Sequence, residues 1–145
     1  TVKQARICAL IPAFNEVKHI GPVIRAAQSY LPVLVVDDGS TDGTAELARS
    51  LGATVLAQLA NHGKGVALRK GFQWALDQGF EAVVTLDADG QHRPDEIPKF
   101  LKAYEQKRAD LIIGAREFRE MPWKRRLANL FGYFSISLVL SLIPT

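Results

Sequence analysis

Asp87, Asp89 and Gln91 stand at alternate positions directly after an apolar run, Ala-Val-Val-Thr-Leu at 82–86. In an extended or turning segment, side chains two apart converge on one side. Two carboxylates and an amide so placed make a set of hard oxygen donors. Such donors suit Mg²⁺ or Mn²⁺, and Mg²⁺ commonly divides its shell between one or two carboxylates and a substrate phosphate. The chemistry suggested is a divalent cation gripping a phosphorylated substrate. The same residues have a plainer use. Asp-Ala-Asp-Gly is also turn chemistry, with Gly90 able to take positive φ and the aspartates bonding nearby amides. His92 beside them is a candidate ligand on the first reading and a polar loop residue on the second.

Other chemistry-bearing residues follow apolar runs in the same way. Asp37 and Asp38 close the run 33–36, and Pro12, Phe14 and Glu16 follow the run 7–11. Lys64 lies in Asn61-His62-Gly63-Lys64-Gly65, just before a helical pattern. It could meet an anion at that helix start or be a solvated loop lysine. It is not a P-loop lysine, because GxxxxGK[ST] is absent. The stretch from Asp38 to Gly43 opens like an EF-hand loop. Its twelfth position is Arg49, where calcium needs a bidentate glutamate, so that reading fails.

Elements must hold these residues together. The runs 7–11, 33–36 and 82–86 are short and apolar, the pattern of strands buried on both faces of a parallel sheet, and 54–57 and 111–113 are two further strands. Between them, helices are expected at 17–30, 45–51, 66–78 and 94–106. The first has Ile20, Val23, Ile24 and Ala27 on one face, and Pro22 fits its first turn. Ser40, Thr41 or Asp42 can cap the second, and Gly52 and Gly79 end the second and third. Pro94-Asp95-Glu96 has a helix-start composition. Five alternations of strand and helix predict a three-layer α/β/α fold with a mostly parallel sheet. The acidic strand ends then share the carboxyl edge, where open α/β sheets bind ligands. No GxGxxG follows the first strand, which disfavours a dinucleotide-binding domain.

At 145 residues, 48% hydrophobic and 23% charged, the chain is expected to be a soluble globular protein with a real core. Cys8 is the single cysteine and lies in an apolar run, so it reads as a buried inert thiol. Residues 1–5 are short and polar, unlike a secretory signal, and a cytoplasmic setting is expected. Residues 1–115 carry 13 basic and 13 acidic side chains, and residues 127–145 carry none. The net charge of +3 therefore comes from 116–126, where Arg116, Arg119, Lys124, Arg125 and Arg126 face Glu117 and Glu120. That patch suits an anionic partner at one place, or a solvated helix start. Beyond it, apolar residues recur from Trp123 to Leu142 with helical spacing. The expected division is a core over 1–121 and an amphipathic or apolar helix over 122–145, meeting an acceptor, a membrane or the protein's own sheet.

Four motifs in order carry a resemblance over nearly the whole chain. Ile11-Pro12-Ala13-Phe14-Asn15-Glu16, Asp37-Asp38-Gly39-Ser40-Thr41-Asp42-Gly43-Thr44, Asn61-His62-Gly63-Lys64-Gly65 and Asp87-Ala88-Asp89-Gly90-Gln91-His92 are together similar to family 2 glycosyltransferases of the GT-A fold. Their order and spacing resemble the dolichol-phosphate mannosyltransferase branch, as do Gly114-Ala115-Arg116 and Met121-Pro122 with Arg125 and Asn129. The resemblance implies a nucleoside-diphosphate sugar donor, a polyprenyl phosphate acceptor, and work at the cytoplasmic face of a membrane; nucleic acid is not an expected partner. Pro12, Phe14 and Glu16 would frame the base and ribose, and Asp37 and Asp38 would bond one of them. Asp87, Asp89 and Gln91 would hold the metal, with Ala88 and Lys64 against the donor. Arg116 would meet phosphate, and Arg125 lies on the acceptor side. Family members continue well past this point, so the chain resembles a domain truncated at its C-terminus. Two rivals remain: a donor-binding fragment without turnover, and a phosphatase using Asp87-Ala88-Asp89-Gly90 as a DxDG nucleophile motif.

Overall fold

The computed structural model describes residues 4–114 and 137–141. Strand β1 (Ile7–Ala13) leads to helix α1 (Ile20–Gln28), β2 (Val33–Asp37), α2 (Thr44–Ser50), β3 (Thr54–Ala57) and α3 (Lys64–Asp77). Then come β4 (Ala82–Thr85), a 3-10 turn (Pro94–Glu96), α4 (Ile97–Lys107), β5 (Leu111–Gly114) and β6 (Ser137–Ser141). The sheet order is β3-β2-β1-β4-β6-β5. The first four strands are parallel, and β6 runs antiparallel to both β4 and β5.

Alternation along the strands makes the three layers. Ile7, Ala9, Ile11 and Ala13 of β1 join Val33 and Val35 of β2 in one core, with Ile20, Val23 and Ile24 of α1, Ala48 of α2, and Ile97 and Tyr104 of α4. Cys8, Leu10, Leu34, Val36 and Val83 face the other way, against Ala67 and Ala75 of α3. A strand covered on both faces has no position for a polar residue, hence the unbroken apolar runs. Helix α3 sits close to the sheet because Gly71 has no side chain. A Cβ there would lie 2.4 Å from Leu10 Cδ1.

The α/β/α architecture and mostly parallel sheet hold as expected from the sequence. Two local expectations do not. Helix α1 begins at Ile20 rather than at 17, because residues 16–19 turn to let the Ile20 and His19 amides donate to the Glu16 carbonyl. The larger correction concerns 122–145, expected as one helix against an acceptor, a membrane or the protein's own sheet. Ser137–Ser141 is a strand within the sheet, paired to β4 and β5 at once. A short run such as Leu138-Val139-Leu140 fits helix or strand by periodicity alone. The backbone groups along β4 and β5 that need partners settle it. The remainder of that tail lies outside the described residues, as do Arg116 and Arg125. Among the described residues, no helix is long and apolar enough to cross a membrane.

Candidate nucleotide and metal site

The chain adds β2 and β3 on one side of β1, then α3 carries it back to place β4 on the other side. Such a reversal opens a crevice outside the carboxyl ends of the two strands that flank it. A cavity of about 350 Å³ lies there. Pro12, Ala13, Phe14 and Glu16 line it from the end of β1, and Asp38 from the end of β2. Asn61, Gly63, Lys64 and Ala67 line it from the start of α3, and Asp87, Ala88 and Asp89 from the end of β4. Most residues expected at the site from the sequence therefore meet at one place.

The wall after β1 is held by the loop after β2. The Asn15 amide donates to Ser40 Oγ at 2.8 Å, and the Thr41 amide donates to Asn15 Oδ1 at 2.9 Å. The Glu16 amide donates to Thr44 Oγ1 at 2.9 Å, and the Val17 amide to Asp42 Oδ2 at 3.1 Å. Asn15 takes φ of 52°, a left-handed turn that asparagine tolerates. Asp42 does not cap α2 from the N-cap position, which Gly43 holds. Its Oδ1 instead accepts the Thr44 amide and hydroxyl. The Thr44 hydroxyl, against the opposing desolvation and helped by the Val17 and Thr44 amides, holds the Asp42 carboxyl below the usual carboxylate range.

Asp37 and Asp38 separate in role. Asp38 Oδ1 accepts the Gln58 side-chain amide and the His62 amide, and Oδ2 accepts the Gly63 amide, all at 2.8 Å. It buckles the 58–63 loop onto the sheet edge while still lining the cavity. Gly39 permits this approach: its φ is 81°, and a Cβ would lie 2.7 Å from the Ala60 carbonyl carbon. Asp37 is buried behind the wall. Its Oδ2 accepts the Ser40 amide at 3.1 Å, while Oδ1 has no partner among the described residues. Gln58 Oε1 is the other buried acceptor without a partner there.

At the end of β4, Lys64 Nζ reaches Asp87 Oδ1 at 2.5 Å. Asp89 Oδ1 accepts the Gln91 amide at 2.9 Å, the turn chemistry that the sequence allows, and Asp89 still faces the cavity. Gln91 itself is not among the lining residues. His92 is buried and bonds the Asp87 backbone, so it is neither a solvated loop residue nor aimed at the cavity. Sequence reasoning missed Ala13, Asn61, Gly63 and Ala67 as wall residues and Gln58 as a partner of Asp38. Glycine and alanine beside a ligand loop are the signal for close backbone approach, and it is weak. Cys8 is buried and its thiol is pushed up to about 12 by desolvation, consistent with an inert core residue.

Among the described residues no group of three or more His, Cys, Asp or Glu side chains could cage a metal. Two cavity-facing carboxylates are nevertheless a fitting set for a hard cation that takes its remaining oxygens from phosphate and water. The Lys64 ammonium against Asp87 marks a position where positive charge is already favoured.

Known proteins resemble this chain in sequence and in fold. The model of the family described as glycosyl transferase family 2 matches residues 8–138. The undecaprenyl-phosphate mannosyltransferase of Micrococcus luteus is 37% identical over 77% of this chain and 48% of its own length. The polyprenol monophosphomannose synthase of Mycolicibacterium smegmatis is 35% identical over 89% of this chain and 55% of its own length. The chain thus spans about half the length of these curated relatives. In fold it is similar to glucosyl-3-phosphoglycerate synthase from Mycobacterium tuberculosis in complex with Mn²⁺ and UDP-glucose. There the TM-score is 0.70 at 24% identity, covering 95% of this chain and 56% of that one.

Proposed function

The chain belongs to glycosyl transferase family 2, and from that premise we propose that it carries the donor site of a metal-dependent, inverting sugar transferase acting on a polyprenyl phosphate. The observation that carries this reading is the meeting of Asp87 and Asp89 with Phe14, Glu16 and Lys64 around one cavity at the β1/β4 switch point. The relatives named as polyprenyl-phosphate mannose transferases support the acceptor class.

In this reading Phe14, 44% exposed at the cavity rim, offers a face for the base. Glu16 offers a carboxylate to the ribose hydroxyls. Asp38 acts by holding the 58–63 loop, which sets where Lys64 begins α3. Asp87 and Asp89 would hold Mg²⁺ or Mn²⁺, with phosphate and water oxygens completing the shell, since Gln91 does not line the cavity. Bound there, the cation supplies charge neutralisation to the diphosphate leaving group. Lys64, and Arg116 by the family resemblance, add positive charge to the same phosphates. The acceptor phosphate is already anionic, so the chain needs no strong base to activate it. The basic stretch 116–126 gives that phosphate, or a membrane bearing it, an electrostatic partner.

Calorimetric titration with UDP and GDP, with and without Mn²⁺, tests the donor site. Parent protein is expected to bind one of them more tightly with Mn²⁺, and Asp89→Ala is expected to lose that gain while remaining folded. Metal-stimulated binding that survives Asp89→Ala would refute the site. Transfer of labelled sugar to a short polyprenyl phosphate then separates an enzyme from a donor-binding domain without turnover.

A further inference from the structure

A carboxylate that is to hold a cation must be aimed, and Asp87 has a buried neighbour close to its carboxylate. His92 follows on the same loop, with its side chain 3% exposed. Burying an imidazole is costly unless its nitrogens are matched. Its Nδ1 accepts the Asp87 backbone amide at 2.8 Å. A ring nitrogen that accepts carries no proton, so the neutral ring bears its proton on Nε2. Nε2 lies 3.4 Å from Asp87 Oδ2. One ring therefore addresses both the backbone and the carboxylate of a single residue.

The opposite oxygen has a different kind of partner. Asp87 Oδ1 faces Lys64, whose side chain is 60% exposed and sits on a long flexible stem. The ammonium can swing into water, whereas the ring cannot leave without opening the loop. We infer that His92 is a positioning residue for the cation site: it retains Asp87 Oδ2 and presents Oδ1, which Lys64 neutralises until a divalent ion is bound with nucleotide. A polar partner held behind a ligating carboxylate restrains its orientation, and here that contact is an electrostatic one at 3.4 Å. The inference rests on the nucleotide reading above.

Two conservative variants split the two contacts. The terminal amide of His92→Gln can stand where Nε2 stands, and the oxygen of His92→Asn where Nδ1 stands. Mn²⁺-dependent binding of UDP or GDP is read by calorimetry, alongside binding of the same nucleotide without metal. His92→Asn is expected to weaken the metal-dependent part by about 10- to 100-fold. His92→Gln is expected to stay near the parent, and metal-free binding is expected to be unchanged in both. Parent-like affinity in His92→Asn, or equal loss in both variants, overturns the proposal. Should neither variant fold, long-range ¹H–¹⁵N NMR of the parent at pH 8 reads the tautomer directly. Nε2–H is expected, and Nδ1–H overturns the proposal. A parent that binds neither nucleotide more tightly with Mn²⁺ counts against the nucleotide reading instead, and the tautomer still decides whether His92 makes the contacts described.

Discussion

Asp38 shows how one side chain can serve a site by shaping it. Its three donors sit 20 to 25 residues away in sequence, at Gln58, His62 and Gly63. Asp38→Asn puts an amide where at least one donor now points, leaving a buried group unmatched at a cost of about 1–3 kcal/mol. Urea unfolding is expected to show that loss, with nucleotide affinity falling as well. A side chain that only touched the base would lower affinity and leave the midpoint unchanged. Asp42 gives a pH signature. Its folded pKa is depressed, first by the Thr44 hydroxyl. A depressed carboxyl contributes stability above its ordinary range near ~3.9, and that contribution disappears as pH falls through the folded value. Melting temperature is therefore expected to fall below about pH 4, and less steeply in Asp42→Asn. Cys8 is expected to resist thiol reagents at pH 8 until the protein unfolds, because its thiol is pushed up to about 12.

At the scale of elements, α3 both packs the sheet and starts at the site. Two of its glycines predict opposite signs. Gly71→Ala drives a methyl into Leu10, which is fully buried, and overpacking costs about 1–3 kcal/mol. The gain in helix propensity, about 1 kcal/mol, offsets part of this. At Gly65 a Cβ meets nothing within 4 Å, so Gly65→Ala keeps the propensity gain alone. Denaturant midpoints are expected to move down for the first and up for the second. Equal shifts in one direction would contradict the packing of α3 on β1.

For the molecule as a whole, β6 decides what the C-terminal segment does. It is hydrogen-bonded to β4 and β5, so removing residues 137–145 cuts β5 off from the sheet and opens the edge of β4. The shortened chain is expected to lose cooperative thermal unfolding and to aggregate through the two exposed strand edges. Retention of a sharp transition would show that β6 contributes little. The proposed membrane contact is a separate question, resting on the basic stretch 116–126 of the sequence. Neutralising Lys124, Arg125 and Arg126 together is expected to weaken binding to anionic vesicles without changing the melting temperature, since each charge near such a surface is worth roughly 1 kcal/mol.

The strands, the layers and the carboxylate pair were legible in the sequence because each depends on spacing. Apolar runs of four to seven residues specify strands buried on both faces, and Asp87 and Asp89 follow from where one run stops. The four motifs in order carried the family, since each turn's residue types are dictated by local backbone geometry. What spacing could not supply was the choice of partner across the fold. Asp37 and Asp38 are adjacent in sequence, yet one lines the cavity and the other is buried behind it, because consecutive residues at a strand end point to opposite sides. Lys64 meets Asp87 across 23 residues through the reversal between β1 and β4. His92 faces inward because the loop after Asp89 turns back on β4. Residues 137–141 are a strand because β4 and β5 offered two unpaired edges. Sequence by itself determined the elements through β5 and the chemical types at their ends; the tertiary structure decided that 137–141 is a strand and which of those ends face one another, because the pairing depends on chain topology that local periodicity does not encode.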